Sequence, residues 1–374
     1  MEIQIKEVQT KKDYQDFVYL PEKIHKDHTN WIPPIYSDDI VFFNPKKNES
    51  FKTCDYKLLL AIKDGKVVGR CMGLVHHKYN AEHNEKCGRF SFLETYNDFE
   101  VFHALIDYVA QWSKSLGMEQ LIGPLAFSDH DPQGFLIEGY DEVNVIASTC
   151  NFRYITDFCE KEGFTKKVDL IEHNIPIPEK YPPLYEKVAE RYALRNKNLR
   201  VAEYKSRLQF RSIIKPVLTL INETFTNVYG FTPFTDKEMN EYANRYIFLL
   251  SPDFIKVVFN ENNEVVGAII GIPDYSKGFK KCNGRLFPFG FIPLLAAGRK
   301  TDMLILLLGA VDPRYQGRGL EVLMGTKMMD SAKKRGIYKI DSHLGLEYND
   351  KRNAEMERMG GKVYKRYRIY QKDI

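Results

Sequence analysis

The sequence predicts an α/β (α+β) chain of two similar halves, each a mixed, mostly antiparallel sheet flanked by helices. Three observations predict it. A hairpin pattern occurs twice: 58–62 and 67–69 flank Lys63-Asp64-Gly65-Lys66, and 255–259 and 265–267 flank the polar run 260–264. Asp-Gly between apolar runs signals a tight turn, because such turns need a positive φ. A glycine-closed helix end also occurs twice, at Gly163 and at Gly360. The separation from Gly69 to Gly267 matches that from Gly163 to Gly360 to within one residue, as a tandem duplication would leave it. Finally, an apolar run over 303–311 enters a turn rich in Pro and Gly, and an amphipathic stretch over 320–335 follows, closed by Gly336.

The remaining elements fall into the same order in both halves. Residues 2–8 and 199–204 alternate and read as first strands. Helical stretches follow over 11–28 in the first half, and over 212–228 and 236–250 in the second. Pro216 predicts an early turn or kink there. Val101, Phe102, Leu105, Ile106, Val109, Trp112 and Leu116 form one helix face before Gly117. Leu320, Leu323, Met324 and Met328 form its counterpart, and both faces are expected to pack on a sheet. The central helices do not keep the common separation, which places insertions around 124–150 and 273–300. Prolines at 176, 178, 182 and 183 mark a linker. The expected division is a first domain over 1–175, a proline-rich linker with a connecting helix over 176–198, and a second domain over 199–374.

With 374 residues, of which 44% are hydrophobic, the chain can bury the cores of two or three domains. A net charge of +4 gives no reason to expect a polyanion, and no basic stripe with interleaved aromatics points to nucleic acid. The cleanest apolar run, 303–311, is far shorter than the roughly 18 residues of a membrane-spanning helix. No secretory leader is seen, and no membrane contact is expected. Six scattered cysteines without a C-x-x-C pair fit reduced thiols, so a cytoplasmic location is expected. Oligomeric state is not legible.

The turn at 309–321 carries the chemistry. Glycines let the backbone approach an anion closely, and the first N–H groups of the next helix lack intrahelical acceptors. The helix dipole adds a positive end, so strand, glycine turn and helix together form a phosphate cradle. The stretch from Val311 through Asp312, Pro313, Arg314, Tyr315, Gln316, Gly317, Arg318 and Gly319 to Leu320 and Glu321 resembles the pyrophosphate loop of the GNAT superfamily of acyl-CoA-dependent N-acyltransferases. It has that family's Val-x-Pro lead-in and its Gln/Arg-x-x-Gly-x-Gly/Ala motif, with Gln316 first and Gly319 in place. Asn349 and Gly360 also keep a spacing common in the superfamily. The likeness covers most of 199–374. Over 1–175 it is one of topology, since Glu94, Thr95, Tyr96, Asn97 and Asp98 hold no glycine where the loop would stand.

The resemblance implies direct transfer of an acyl group, most simply acetyl, from acyl-CoA to the amine of a small molecule, without a metal. Gly309, Ala310 and Val311 would then contact the pantetheine arm. Gln316, Gly317, Arg318, Gly319 and Leu320 would cradle the pyrophosphate, and Asn349 would touch the arm or shape the site. The chain departs from the family at Glu321, in place of Gly or Ala, and at Met356, where a Tyr commonly protonates the leaving thiolate. Glu321 is expected to face solvent with Arg318 offsetting its charge.

On an expected fifth strand over 337–346, Asp341, His343, Gly345 and Glu347 share one face. His343 is a candidate base at neutral pH. Glu347 could work through water, and Tyr348 could replace the absent Tyr as acid. Asp129, His130 and Asp131 form an acidic, histidine-containing loop suited to a cationic amine; a solvated loop is the alternative. Metal binding by His130, or by His76, His77 and His83, has no support beyond spacing. The apolar insertion over 284–295 is expected to pack between the halves. A hydrophobic-ligand pocket and a membrane surface are its alternatives. Two other functions stay open: transfer of a longer acyl chain with 284–297 as its pocket, and CoA or ligand binding without transfer.

Overall fold

The computed structural model describes residues 2–146, 148–195 and 198–374. Among the described residues, fourteen strands form one sheet. In chain order they are β1 (Ile3–Glu7), β2 (Cys54–Lys63), β3 (Lys66–His76), β4 (Cys87–Thr95), β5 (Gln120–Gly123), β6 (Phe135–Glu138) and β7 (Thr165–Pro176) in the first half. The second half supplies β8 (Arg200–Ala202), β9 (Ile255–Phe259), β10 (Val265–Pro273), β11 (Met303–Val311), β12 (Lys339–Asp341), β13 (Gly345–Leu346) and β14 (Lys362–Asp373). The duplication holds strand by strand, because each half runs through seven strands. Both hairpins form where the turn residues require, with Asp64 at φ 52° and Gly65 at φ 71° between β2 and β3, and Asn263 at φ 59° between β9 and β10.

The strand order is β1-β2-β3-β4-β5-β14-β7-β12-β11-β10-β9-β8, with β6 on β14 and β13 on β7. Each half therefore donates its last strand to the other. β14 lies against β5 of the first half, and β7 lies against β12 of the second. The two exchanged strands pair with each other at the centre. Their register is pinned by charge. Lys365 and Glu172 are register partners, fully buried, with Nζ 3.3 Å from the carboxylate. Arg368 and Asp169 are partners too, and the guanidinium donates at 2.8 and 3.0 Å. A slip by one residue would put these side chains on opposite faces and strand a buried charge. Ile175 and Pro176, which begin the proline-marked stretch, are the end of β7. The helix Pro183–Arg195 follows.

The predicted helix faces supply the cores. Val101, Phe102, Leu105, Ile106 and Val109 are buried in the helix Phe99–Ser115, while Leu116, at its C-cap, is 37% exposed. Leu320, Met324 and Met328 are buried in the helix Leu320–Lys334. Pro216 causes no kink; it sits in the first turn of the helix Ile214–Thr224, where its missing N–H costs nothing. No helix among the described residues is long and apolar enough to cross a membrane.

Two strand pairs are parallel and short, and they decide where a site forms. β4 meets β5 over Cys87–Arg89, and β11 meets β12 over Met303–Ile305. Beyond those pairs the strands diverge. In the first half the gap is closed: Leu125 donates its N–H to the Phe90 carbonyl at 3.0 Å, and the Tyr154 hydroxyl donates to the Thr95 carbonyl at 2.8 Å. In the second half it stays open.

Candidate functional site

The gap beside β11 leads into a cavity of about 1240 Å³. Gly309, Ala310 and Val311 border it, paired with β10 on one side but unpaired toward β12. Such an edge offers backbone N–H and C=O groups to an extended ligand. Much of the chamber wall is aliphatic, including Val217, Leu218, Ile221, Leu249, Ile270 and Leu306.

The glycine turn stands at one mouth. Asp312 organises its start, accepting the Arg314 N–H at 2.8 Å and its guanidinium at 2.6 Å. Gln316 lines the cavity and donates its side-chain amide to the Val311 carbonyl at 2.8 Å. Gly317 and Gly319 have φ of 69° and 102°, which L side chains rarely adopt, and the helix begins at Leu320. Arg318 is exposed and Leu320 is buried. Glu321 is half-exposed at the rim of the cavity, and its carboxylate folds back to accept the Gly317 N–H at 3.0 Å. The charge-assisted bond satisfies a donor that the helix cannot. A Cβ on Gly319 would come within 2.8 Å of Val188, because the helix Pro183–Arg195 packs over the turn.

The opposite wall differs from the expected continuous strand. Residues 337–346 form β12 and β13 with a kink between them, where His343 takes φ 52°. The kink is held from both sides. The His343 N–H donates to Asp341 at 2.6 Å, and the Arg352 guanidinium donates to the carbonyls of Ser342 and His343 at 3.0 and 2.8 Å. The alternation that would put Asp341, His343, Gly345 and Glu347 on one face is therefore lost. His343 lines the cavity, with Nδ1 buried and unpartnered. Burial pushes its imidazole down to about 4, so it is neutral at pH 7. Glu347 is held by Lys166 and by Arg366 at 3.6 Å, Tyr348 is 57% exposed, and neither lines the cavity. Asn349 does, and its side chain also caps the helix Asp350–Arg358 by accepting the Arg352 N–H at 3.2 Å. Met356 lines the cavity, and Tyr185 joins it there from the helix Pro183–Arg195. Burial pushes the Tyr185 hydroxyl up.

Asp129, His130 and Asp131 also border this cavity. Asp131 accepts the N–H groups of Phe127 and Ser128 at 3.0 and 3.2 Å, and Asp129 accepts the Ser128 hydroxyl at 2.9 Å. Burial pushes both carboxyls up to about 7. His130 stacks on Phe234 at 3.9 Å, and burial pushes it down to about 4. His76, His77 and His83 turn to different partners: the Tyr79 N–H, Asp55 and the Tyr79 carbonyl. The insertion over 284–297 does not line the cavity. It bridges the halves on one side only, through the buried Leu286 and Leu294 and the Arg285–Glu22 ion pair at 2.8 Å.

No family model matches the sequence. Two curated proteins match nearly end to end. Protein YghO of Escherichia coli is 26% identical over 97% of this chain and 94% of its own. A bacterial ceramide synthase of Caulobacter vibrioides is 24% identical over 98% of this chain and 96% of its own. Among solved structures, a tandem GNAT protein from the clavulanic acid biosynthesis pathway superposes with a TM-score of 0.56 at 9% identity, covering 100% of this chain and 98% of that one. The fold is a tandem GNAT fold.

The two halves differ at the corresponding strand end. In the first half, Glu94 occupies the end of β4, and His25 Nε2 lies 2.9 Å from it. His25 is itself stacked between Trp31 and Phe152, at 5.0 and 5.1 Å. Aromatic rings thus stand against the strand end whose GNAT counterpart in the second half is open. Sequence reasoning missed Tyr185 and Arg352. Tyr185 belongs to no motif, and its place depends on where the connecting helix docks. Arg352 had a signal only in hindsight: Gly345 leaves room for its guanidinium, since a Cβ there would lie 2.0 Å from it.

Proposed function

We propose that this chain is an acyl-CoA-dependent N-acyltransferase that accommodates a long aliphatic chain on the donor or the amine acceptor. The observation that carries the reading is the aliphatic cavity, about 1240 Å³, which continues inward from the open edge of β11. Ligand pockets commonly span roughly 300–1,000 Å³, and this chamber, which also takes in the edge of β11, lies above that range. The full-length likeness to a protein named ceramide synthase fits, since a ceramide is an N-acylated long-chain amine. Relative to the simpler acetyl reading, the chain length changes and the fold does not. The pocket for the chain is this chamber, not the 284–297 insertion.

The donor's pantetheine arm runs along Gly309, Ala310 and Val311, with Asn349 beside it. Its pyrophosphate sits at Gln316 through Leu320, once the Glu321 carboxylate has left Gly317. The neutral acceptor amine attacks the thioester carbonyl, forming the C–N bond. His343, neutral at the cavity wall, takes the amine proton. As the C–S bond breaks, Tyr185 supplies a proton to the leaving thiolate, the role that Met356 cannot fill. Asp129, His130 and Asp131 border the acceptor's polar portion. The proposed division of labour assigns donor binding to 199–374 and acceptor shaping to 1–175.

A thermal-shift panel of CoA, acetyl-CoA and palmitoyl-CoA, followed by mass spectrometry of amide products with short- and long-chain amines, tests this. Stabilisation by acyl-CoA and an amide carrying at least one long chain are expected. Equal turnover of acetyl-CoA with short amines would remove the long-chain part. Binding without thioester loss across the amine panel would leave a non-catalytic CoA-binding protein.

A further inference from the structure

The segment that fails to line the cavity has a surface unlike the rest of the molecule. Its helix Phe291–Lys300 and the turn before it carry Phe287 at 82% exposure, Phe289 at 71%, Ile292 at 55%, Phe291 at 43% and Leu295 at 38%. These are five large apolar side chains within nine positions, and single exposed residues of this kind are what soluble surfaces usually show. The opposite side of the segment is firmly anchored. Leu294 and Leu286 are buried, Leu294 packs with Phe279, and a Cβ on Gly298 would meet the Tyr275 ring at 2.2 Å. The exposed rings therefore sit on a rigid base and are not a loosely collapsed loop.

Charge frames the patch. No Asp or Glu occurs between Asp274 and Asp302, while Lys277, Lys280, Lys281, Arg285, Arg299 and Lys300 do. Arg285 is spent on Glu22, and Lys280 donates to the Thr29 carbonyl. Among the described residues, Lys277, Lys281, Arg299 and Lys300 have no salt-bridge partner. All four are exposed. A short helix and its leading turn that expose aromatic and aliphatic side chains, with cations nearby in sequence, have the composition of an element that lies in a membrane interface. The rings enter the acyl boundary, and the ammonium and guanidinium groups meet anionic headgroups.

We infer that Phe287, Phe289, Phe291, Ile292 and Leu295, with Lys277, Lys281, Arg299 and Lys300, form a docking surface for an anionic lipid bilayer. The inference stands on the patch and its charge and does not rest on the acyl-transfer reading. It does have a consequence for that reading. Gly284, at the start of the segment, accepts the Tyr36 N–H at 3.3 Å, next to Pro34 and Ile35 of the cavity wall. The docking surface and the chamber are thus neighbours.

The test is co-sedimentation of the full chain with vesicles of phosphatidylcholine alone and of phosphatidylcholine with phosphatidylglycerol. Binding to the anionic vesicles is expected, weakening as salt rises. The triple variant Phe287→Ser, Phe289→Ser, Ile292→Ser should lose at least tenfold in apparent affinity. Lys277→Glu with Lys281→Glu should lose a comparable factor on anionic vesicles. Acyl-CoA stabilisation in the thermal-shift assay should be unchanged in both variants, which shows that they fold and separates this inference from the proposed function. Absence of sedimentation with either vesicle overturns it. A concentration-dependent dimer that the triple variant abolishes, without vesicle binding, also overturns it and assigns the patch to a second copy of the chain.

Discussion

At His343, backbone strain and burial coincide. A non-glycine residue at φ 52° persists only when its surroundings hold it there, and Asp341 and Arg352 do so. The result is an imidazole at the cavity wall whose Nδ1 is buried without a partner. His343→Gln should lower kcat by about 10²–10⁴-fold, the usual worth of a general base, with little change in the thermal shift caused by acyl-CoA. Undiminished turnover would exclude His343. At the turn, Glu321 occupies the Gly317 N–H, a donor that the proposed function assigns to the anion. Glu321→Ala frees the Gly317 N–H and should tighten CoA binding by about two- to fivefold, the equilibrium worth of one charge at a helix N-terminus. Calorimetric titration measures it, and weaker binding would mean that the carboxylate holds the loop in its competent shape. Gly319→Asp is a poorer probe, because its positive φ and its contact with Val188 would strain the fold as well.

His130 gives a pH prediction with a definite sign. Its folded value is depressed to about 4 from roughly 6.5 in an unfolded chain. Between those values the unfolded state binds more protons, so its contribution is complete above pH 6.5 and is lost as pH falls toward 4. His130→Phe keeps the ring stack on Phe234 without the titration. Denaturant unfolding should show the variant gaining on the parent as pH drops through that window, and a constant difference would refute the assignment.

The decisive element is the broken strand β12–kink–β13. An unbroken strand would have paired all along β7 and kept Asp341, His343, Gly345 and Glu347 on one face. Gly345 makes the break possible by leaving space for Arg352, whose guanidinium bonds the kink carbonyls. Gly345→Ala should therefore displace Arg352 and lower transfer by at least tenfold while the far-ultraviolet circular dichroism stays unchanged. Retained activity would show that the kink holds without the arginine. Helices and hairpins were legible in the sequence because their signals are local: a 3.6-residue apolar period, Asp-Gly at a turn, a glycine at a C-terminus. The kink was not, because its cause lies in the tertiary contact between Gly345 and Arg352.

Across the whole molecule, the exchange of β7 and β14 ties the halves together. Residues 1–175 by themselves would leave the β5 edge open and strip β7 of its partner strand β14, and with it of the Lys365–Glu172 pair. Expressed alone, that fragment should be insoluble or lack cooperative unfolding. The full chain should unfold in one transition, seen alike by circular dichroism and by the fluorescence of Trp31 and Trp112. A soluble fragment with its own sharp transition would show that β7 folds back into its own half.

The sequence by itself determined the duplication, the order of elements, the two core faces and the glycine turn at 316–319, since each is written in local spacing. Tertiary structure alone decided that the last strands cross over, because β7 and β14 occupy equivalent places in the repeat and only the pairing of their charges with each other reveals the partner. It also decided which gap stays open. Both halves diverge after a short parallel pair, but Tyr154, His25 and Phe152 close the first, whereas the second retains a chamber. The same holds for the insertion over 284–295: its apolarity was plain in the chain, and which side chains stay outside was set by Leu286 and Leu294 anchoring the other face.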